Sequence, residues 1–334
     1  GPGLHFFGYY DVTPWDATGR YVLALEVGFQ DRPQTPEDLV TIGLIDTADG
    51  DRWQPLATTP AWNWQMGTRL QWLGCTPDRL IIHNDRREGR FVAVVRDAFT
   101  GREEAVLPRP VYALDAAGRR AVTLNFARLA RCRPGYGYVG VPDPTEGVLC
   151  PEDDGIWVMD LASGASELLF TFAQVAGVEH RSDMDDAEHW FNHLLWAPGG
   201  ERFIFLHRWR PSGREDWLTR LFTARPDGGD LCLVADDDLV SHFDWRDADH
   251  ILAWAQVKGQ GAHYYLFRDR AGTGAAGAPV AVGPDVLTCD GHCSYSPDRR
   301  WILTDTYPDA EGKRTLILYD TEAGRRMDLG RFWS

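Results

Sequence analysis

The 334-residue sequence has no uninterrupted apolar run approaching the ~18 to 20 residues of a membrane-spanning helix; stretches such as Ile251 to Ala255 and Leu316 to Tyr319 are short. A helical membrane span is excluded. A basic block is also missing: 34 Lys and Arg stand against 49 Asp and Glu, a formal charge of −15, and the arginines are dispersed. Such a surface repels phosphate backbones, so nucleic acid is not an expected partner. Cysteine is sparse. The six residues Cys75, Cys132, Cys150, Cys232, Cys289 and Cys293 are too scattered to form the framework of a small secreted scaffold. Cys132 and Cys150 flank one segment and could pair, so a periplasmic, a secreted and a cytoplasmic setting all stay open. Gly1-Pro2 reads as a protease-cleavage scar, which takes all weight from a missing leader. There is no Gly-rich phosphate loop, no GxSxG elbow and no HExxH pair, and serine hydrolases are disfavoured. Helical periodicity never persists beyond about two turns, because 34 Gly and 20 Pro interrupt it. One short helix is expected near Phe172 to Ala176.

What the sequence does contain is a repeat. His193-Leu-Leu-Trp196 precedes Arg202-Phe-Ile-Phe-Leu206, His242-Phe-Asp-Trp245 precedes Ile251-Leu-Ala-Trp254, and His292-Cys-Ser-Tyr295 precedes Trp301-Ile-Leu-Thr304. Each segment pairs a short alternating strand with a Pro, Asp or Gly turn and a second strand rich in β-branched and aromatic residues. Two more strand-like runs follow each. Four strands per roughly 50 residues is the period of a propeller blade, so the reading is all-β, a single β-propeller over residues 1–334. With Trp72 and Tyr112 in the place of the aromatic three residues after each histidine, and Thr13-Pro14 in the place of Ser296-Pro297, the earlier blades put Tyr9, Arg69 and Arg109 at the histidine position. The stretch from 109 to 193 is too long for one blade, and its excess lies in Phe126 to Pro151. Six blades are evident, and a seventh built with the termini is expected to close the ring.

Blade geometry gathers candidates at one channel mouth. His193, His242 and His292 at one repeat position offer three imidazoles to a single divalent ion, with Cys289, Asp290, Gln256 or water as a fourth ligand. Manganese, zinc and calcium all stay open. Against this, each histidine could simply bond a backbone carbonyl at its blade start. Arg69 and Arg109 supply forked cations suited to a carboxylate, sulfate or phosphate, or pair with nearby acids. His83, His207 with Arg208, and Tyr307 fall where second strands end. Trp62-Asn63-Trp64 lies in the loop before the second blade, where indoles could stack on sugar rings. Arg128 to Tyr138, with Arg131, Arg133, Tyr136 and Tyr138, reads as a substrate lid or as a packed loop over a blade edge. Trp196, Trp245 and Trp301 are expected in the core.

Asp290-Gly-His292-Cys-Ser-Tyr295-Ser-Pro297-Asp298, followed by Thr304-Asp-Thr-Tyr307-Pro308, together with Ser241-His242-Phe-Asp-Trp245, resembles the oligogalacturonate lyases and their propeller relatives, the ulvan lyases. The resemblance holds as a blade pattern from Phe6 to Tyr319 and at motif level only from His193 onward. It implies a seven-bladed propeller that cleaves uronate-containing oligosaccharides or polysaccharides by β-elimination, with His193, His242 and His292 holding a divalent metal. Where that family places a glutamine before its last histidines, this chain has Cys289 and Asp290, and no second histidine follows His292.

The residues suit that chemistry on their own terms. β-Elimination needs a cation at the uronate carboxylate, a base for the C5 proton and an acid for the departing C4 oxygen. Arg69, Arg109 or a metal fit the first task; His83, Tyr136 and Tyr138 fit the others, the phenols needing Arg131 or Arg133 nearby to lower their pKa. A glycoside hydrolase and a non-catalytic carbohydrate-binding propeller are the competing readings.

Overall fold

The computed structural model describes residues 3–269 and 278–333, so Gly1-Pro2 falls outside the described residues. The strands among the described residues form six four-stranded antiparallel sheets, each a meander of consecutive strands. Sheet 1 runs through Leu4–Phe6, Tyr21–Val27, Val40–Asp46 and Arg52–Thr59. Sheet 2 takes Gln71–Trp72, Leu80–Arg87, Arg90–Asp97 and Glu103–Leu107, and sheet 3 takes Ala113–Leu114, Arg120–Thr123, Gly155–Asp160 and Ser166–Thr171. Sheet 4 contains Glu188–Trp196, Phe203–Arg210, Leu218–Ala224 and Cys232–Ala235. Sheet 5 contains Val240–Trp245, His250–Val257, Gly261–Arg268 and Val280–Ala281, and sheet 6 contains Ser294–Tyr295, Trp301–Asp305, Lys313–Asp320 and Arg325–Trp333. The chain divides into two compact units, one of the residues up to Trp196 with Pro211–Gly213, the other of Ala197–Arg210 and the residues from Arg214 on.

The expected seventh sheet is not found among the described residues, because both terminal segments are used elsewhere. Leu4–Phe6 pairs with Tyr21–Val27 in sheet 1, and Phe332 and Trp333 belong to the outer strand of sheet 6.

Local chemistry explains the repeat. The turn after the first strand is closed by a short polar side chain that accepts backbone N–H groups: Asp16 from Thr18, Arg20 and Tyr21, Asp115 from Arg119 and Arg120, Ser296 from Trp301. Such side chains offer the backbone an alternative to further strand pairing, which makes the turn. The outer strand carries a register shift against its neighbour in sheets 1, 2, 3, 4 and 6, which bends the free edge.

Register also corrects the alignment of the early blades. Trp72 pairs with Ile81 and Tyr295 with Ile302, but in sheet 3 the equivalent residue is Leu114, paired with Ala121, and near sheet 1 it is Trp15, bridged to Val22. Counting three residues back gives Val111 and Val12, not Arg109 and Tyr9. The aromatic anchor misleads in sheet 3, where Tyr112 stands two residues before Leu114, and the Thr13-Pro14 anchor misleads in sheet 1, where Thr13 stands three residues before Asp16, the register equivalent of Ser296.

The segment from Phe126 to Pro151 opens with the helix Phe126–Cys132, whose N-terminus is capped by Asn125. The helix Phe172–Gly177 lies where the sequence places it and carries a full capping box between Thr171 and Gln174. No helix among the described residues is long and apolar enough to cross a membrane.

Candidate functional site

In the first unit, Arg69 and His193 both hold left-handed backbone, φ 53° and 51°, three residues before Trp72 and Trp196. A β-carbon makes that conformation costly by about 1 to 2 kcal/mol, so the surrounding contacts must hold it. For Arg69 those contacts consume the side chain. It is fully buried, forks onto the Asp11 carboxylate at 2.9 and 3.1 Å, and donates to the Tyr112 carbonyl at 2.7 Å. The anion expected on Arg69 is therefore intramolecular, which corrects its reading as a substrate clamp. His193 lies against Tyr9, ring centroids 5.2 Å apart, and edge-on to Tyr136 at 5.7 Å. The Tyr9 and Tyr136 hydroxyls meet at 3.3 Å, and Arg133 sits 5.1 Å over the Tyr136 ring. Burial pushes the Tyr9 phenol well above its ordinary range, so it stays protonated.

Other candidates in this unit are spoken for. Tyr138 is fully buried, stacked on Phe126 at 4.4 Å, with its hydroxyl accepting from Asn84; burial raises its pKa and removes it as a base. His83 is fully buried, its Nδ1 faces the Asn84 carbonyl at 3.0 Å, and desolvation pushes its pKa down to about 4. Trp62 is a core residue with its indole N–H donating to the Asp38 carbonyl. Trp64 is half-buried in the same aromatic group, and Asn63 closes a turn and donates to the Gly137 carbonyl. Arg109 bonds Ser166 and lies 3.5 Å over Trp157, which ties it to the outer strands of sheet 3.

The supposed lid is strapped down. Arg128 is fully buried and donates to the carbonyls of His189, Thr145 and Leu149, while Arg131 pairs with Asp143 and Glu188. Gly137 can only be glycine: at φ 70° a β-carbon would strike the Phe126 carbonyl and the Ala130 backbone. Cys132 and Cys150 are free thiols.

The second unit holds a tighter constellation. The His242 and His292 rings lie 4.1 Å apart between centroids, with the Tyr307 ring 6.3 and 6.1 Å from them. Each imidazole has its own carboxylate: His242 Nδ1 meets Asp290 at 3.0 Å, and His292 Nδ1 meets Asp305 at 2.9 Å. Asp305 also accepts from the His292 backbone N–H at 2.7 Å and from Arg314 at 3.2 Å, and Arg314 lies over the Tyr307 ring. Burial holds His242 below the ordinary imidazole range, against the pull of Asp290, and the charges of His292 and Arg208 act in the same direction. Burial alone would raise Asp305, but the bonds from His292 and Arg314 outweigh it and keep it a carboxylate. Gly291 makes this approach possible, since a β-carbon there would collide with the Asp305 carbonyl and Thr304.

Because a carboxylate only accepts, it fixes a proton on each Nδ1, which in the neutral imidazole puts the lone pair on Nε2. Asp290 and Asp305 thus orient the imidazoles. Among the described residues no three His, Cys, Asp or Glu side chains are arranged to hold an ion; His193, expected as the third imidazole, belongs to the first unit, and His242 and His292 to the second. Cys289 is exposed. His207 is fully buried against Arg220 at 3.3 Å and stacked on Trp209, which withdraws it from substrate, while Arg208 is nearly buried 5.7 Å from the Trp217 ring. Trp196 and Trp245 are core residues, but Trp301 is only half-buried. No motif or repeat position marks Arg314, or Asp11 as the partner of Arg69.

The propeller domain of the Trilobed protease from Pyrococcus furiosus, described as having an open velcro topology, superposes with a TM-score of 0.55 at 11% identity, over 99% of this chain and 85% of that one. The fold is a six-bladed β-propeller. TolB from Acinetobacter baumannii (TM-score 0.46, 14% identity, 86% of this chain) is also similar, and this chain spans 59% of its length. An oligogalacturonate lyase in complex with manganese has a TM-score of 0.45 at 16% identity, covering 96% of this chain and 92% of that one. No protein-family model matches the propeller, and no curated protein matches it in sequence. Likeness at these identities speaks to the fold alone.

Proposed function

We propose that this propeller is a carbon–oxygen lyase that opens uronate-containing glycans by β-elimination at the His242–His292 pair. The observation that carries the reading is the pair of imidazoles 4.1 Å apart, each held at Nδ1 by its own carboxylate. His242, kept neutral by burial, takes the C5 proton through Nε2. The electron pair released at C5 forms the C4=C5 double bond as the C4–O4 bond breaks. The Tyr307 phenol, half of whose side chain is exposed, protonates the departing oxygen. Arg314, shared with Asp305, and Arg208 supply positive charge for the uronate carboxylate. A divalent ion bound by the two imidazoles would strengthen that last task, but two donors are not a full ligand set and no step is routed through it.

The test is a screen of 4-linked uronate oligosaccharides and polysaccharides, with and without added manganese, zinc or calcium, followed by the ultraviolet absorbance of the unsaturated product. Wild-type protein is expected to generate it, and His242→Gln is expected to lower kcat by about 10² to 10⁴, the size of a lost general base. Absence of unsaturated product from every uronate, or unchanged turnover in His242→Gln, overturns the assignment.

A further inference from the structure

His242 and His292 owe their orientation to Asp290 and Asp305, but Asp290 and His292 themselves stand on a stretch with no strand pairing, 290–293. Its backbone needs other ties, and three are present within the second unit. Asp305 accepts from the His292 backbone N–H at 2.7 Å, and Gly291, having no β-carbon, lets the peptide lie against the Asp305 carbonyl. The third tie is the Tyr264 hydroxyl, 2.7 Å from the Gly291 carbonyl. It comes from sheet 5, the sheet that also carries His242.

Chemistry fixes the direction of that bond. The Tyr264 oxygen also meets Thr304 Oγ1 at 2.8 Å, but a carbonyl can only accept, so the single phenol proton goes to Gly291 and the Thr304 hydroxyl donates to the phenol. Burial raises the phenol pKa well above its ordinary range and keeps the proton in place. Packing does not require a hydroxyl there. The ring fills a core with Leu252, Ile302 and Ile317, and, counted from the equivalent pairs Trp245–Ile251 and Tyr295–Ile302, sheet 6 has Leu316 at the same register.

We propose that Tyr264 is a positioning residue for the His242–His292 pair: its hydroxyl fixes the peptide between Asp290 and His292, and so sets both imidazole–carboxylate couples at once. Its consequence for turnover rests on the reading of that pair as the reacting site. The phenol itself touches no reacting atom. Without the hydroxyl, the buried Gly291 carbonyl loses its donor and the peptide is free to turn, which carries Asp290 away from His242 Nδ1 and His292 away from Asp305.

Nitrogen NMR of histidine-labelled protein at alkaline pH tests this, because it tells a proton on Nδ1 from one on Nε2 with no substrate present. Both wild-type rings are expected to carry the proton on Nδ1, and Tyr264→Phe is expected to shift both toward the Nε2 form. Tyr265→Phe is the control: it removes a phenol–carbonyl bond of the same kind, 3.0 Å to Gly261, and leaves both rings as they are. On a uronate that the wild type cleaves, Tyr264→Phe is expected to lower kcat about 10- to 100-fold with KM little changed. Should the wild type cleave none, the lyase reading fails and the spectra still decide the positioning role. Should Tyr264→Phe fail to fold by circular dichroism, Thr304→Val, which removes the donor that holds the phenol against Gly291, carries the same expectation. Wild-type rings protonated on Nε2, unmoved protons or undiminished kcat in Tyr264→Phe, or an equal shift in Tyr265→Phe overturns the inference.

Discussion

Two buried side chains show how much a single residue's surroundings decide. His83 is fully enclosed and its pKa sits near about 4. The unfolded chain takes up that proton below about 6.5. Stability present above pH ~6.5 is therefore lost as pH falls toward the folded value, by up to about 3 kcal/mol from this group. His83→Gln should flatten that part of the profile, so the gap between the two proteins in urea-unfolding free energy should narrow from pH 7 to pH 4; a constant gap refutes it. Arg69 and Asp11 form a buried, forked pair. Arg69→Met leaves the Asp11 charge without its partner and is expected to cost about 3 to 5 kcal/mol in the same measurement. Nothing in the sequence pairs these residues, since they stand 58 positions apart.

At the scale of elements, the strands were legible and their contents less so. Alternation and turn chemistry are local, and they place the hairpins from His193 onward and the helix Phe172–Gly177. Register is local too, but its proxies in the sequence, the aromatic Tyr112 and the pair Thr13-Pro14, fail where Val111 and Val12 take the histidine position. The insertion was legible as an insertion, not as a strapped one, because its anchors His189 and Glu188 come from a strand far along the chain. Asp143 ties Arg131, Asn125 and Thr145 together. Asp143→Asn is expected to speed amide hydrogen exchange across 126–151 while leaving sheet 6 unchanged; equal exchange in both proteins means that the ties do not hold the segment. The site was half legible. His242, His292, Asp290 and Tyr307 come together as their repeat positions suggest, whereas the burial of Tyr138, Trp62 and His207 depends on packing that no single segment encodes.

For the whole molecule, the charge of −15 sets the terms on which a polyanion arrives. If the lyase reading holds, Arg208 and Arg314 attract only at short range, and the remaining surface repels. Raising ionic strength from ~0.01 to ~0.15 M shortens the screening length from ~30 to ~8 Å. KM for a short uronate oligosaccharide should therefore fall over that range with kcat little changed, and a rising KM would contradict it.

Each sheet here is made from four strands that follow one another along the chain. A nascent polypeptide leaving the ribosome can thus complete every strand pairing within tens of residues of synthesis, with no early strand kept waiting for a distant mate. In sheets 1, 2, 3, 4 and 6 the register shift in the outer strand then bends the newly made edge before more chain emerges, so a half-synthesised chain offers neighbouring chains a poor template for cross-pairing.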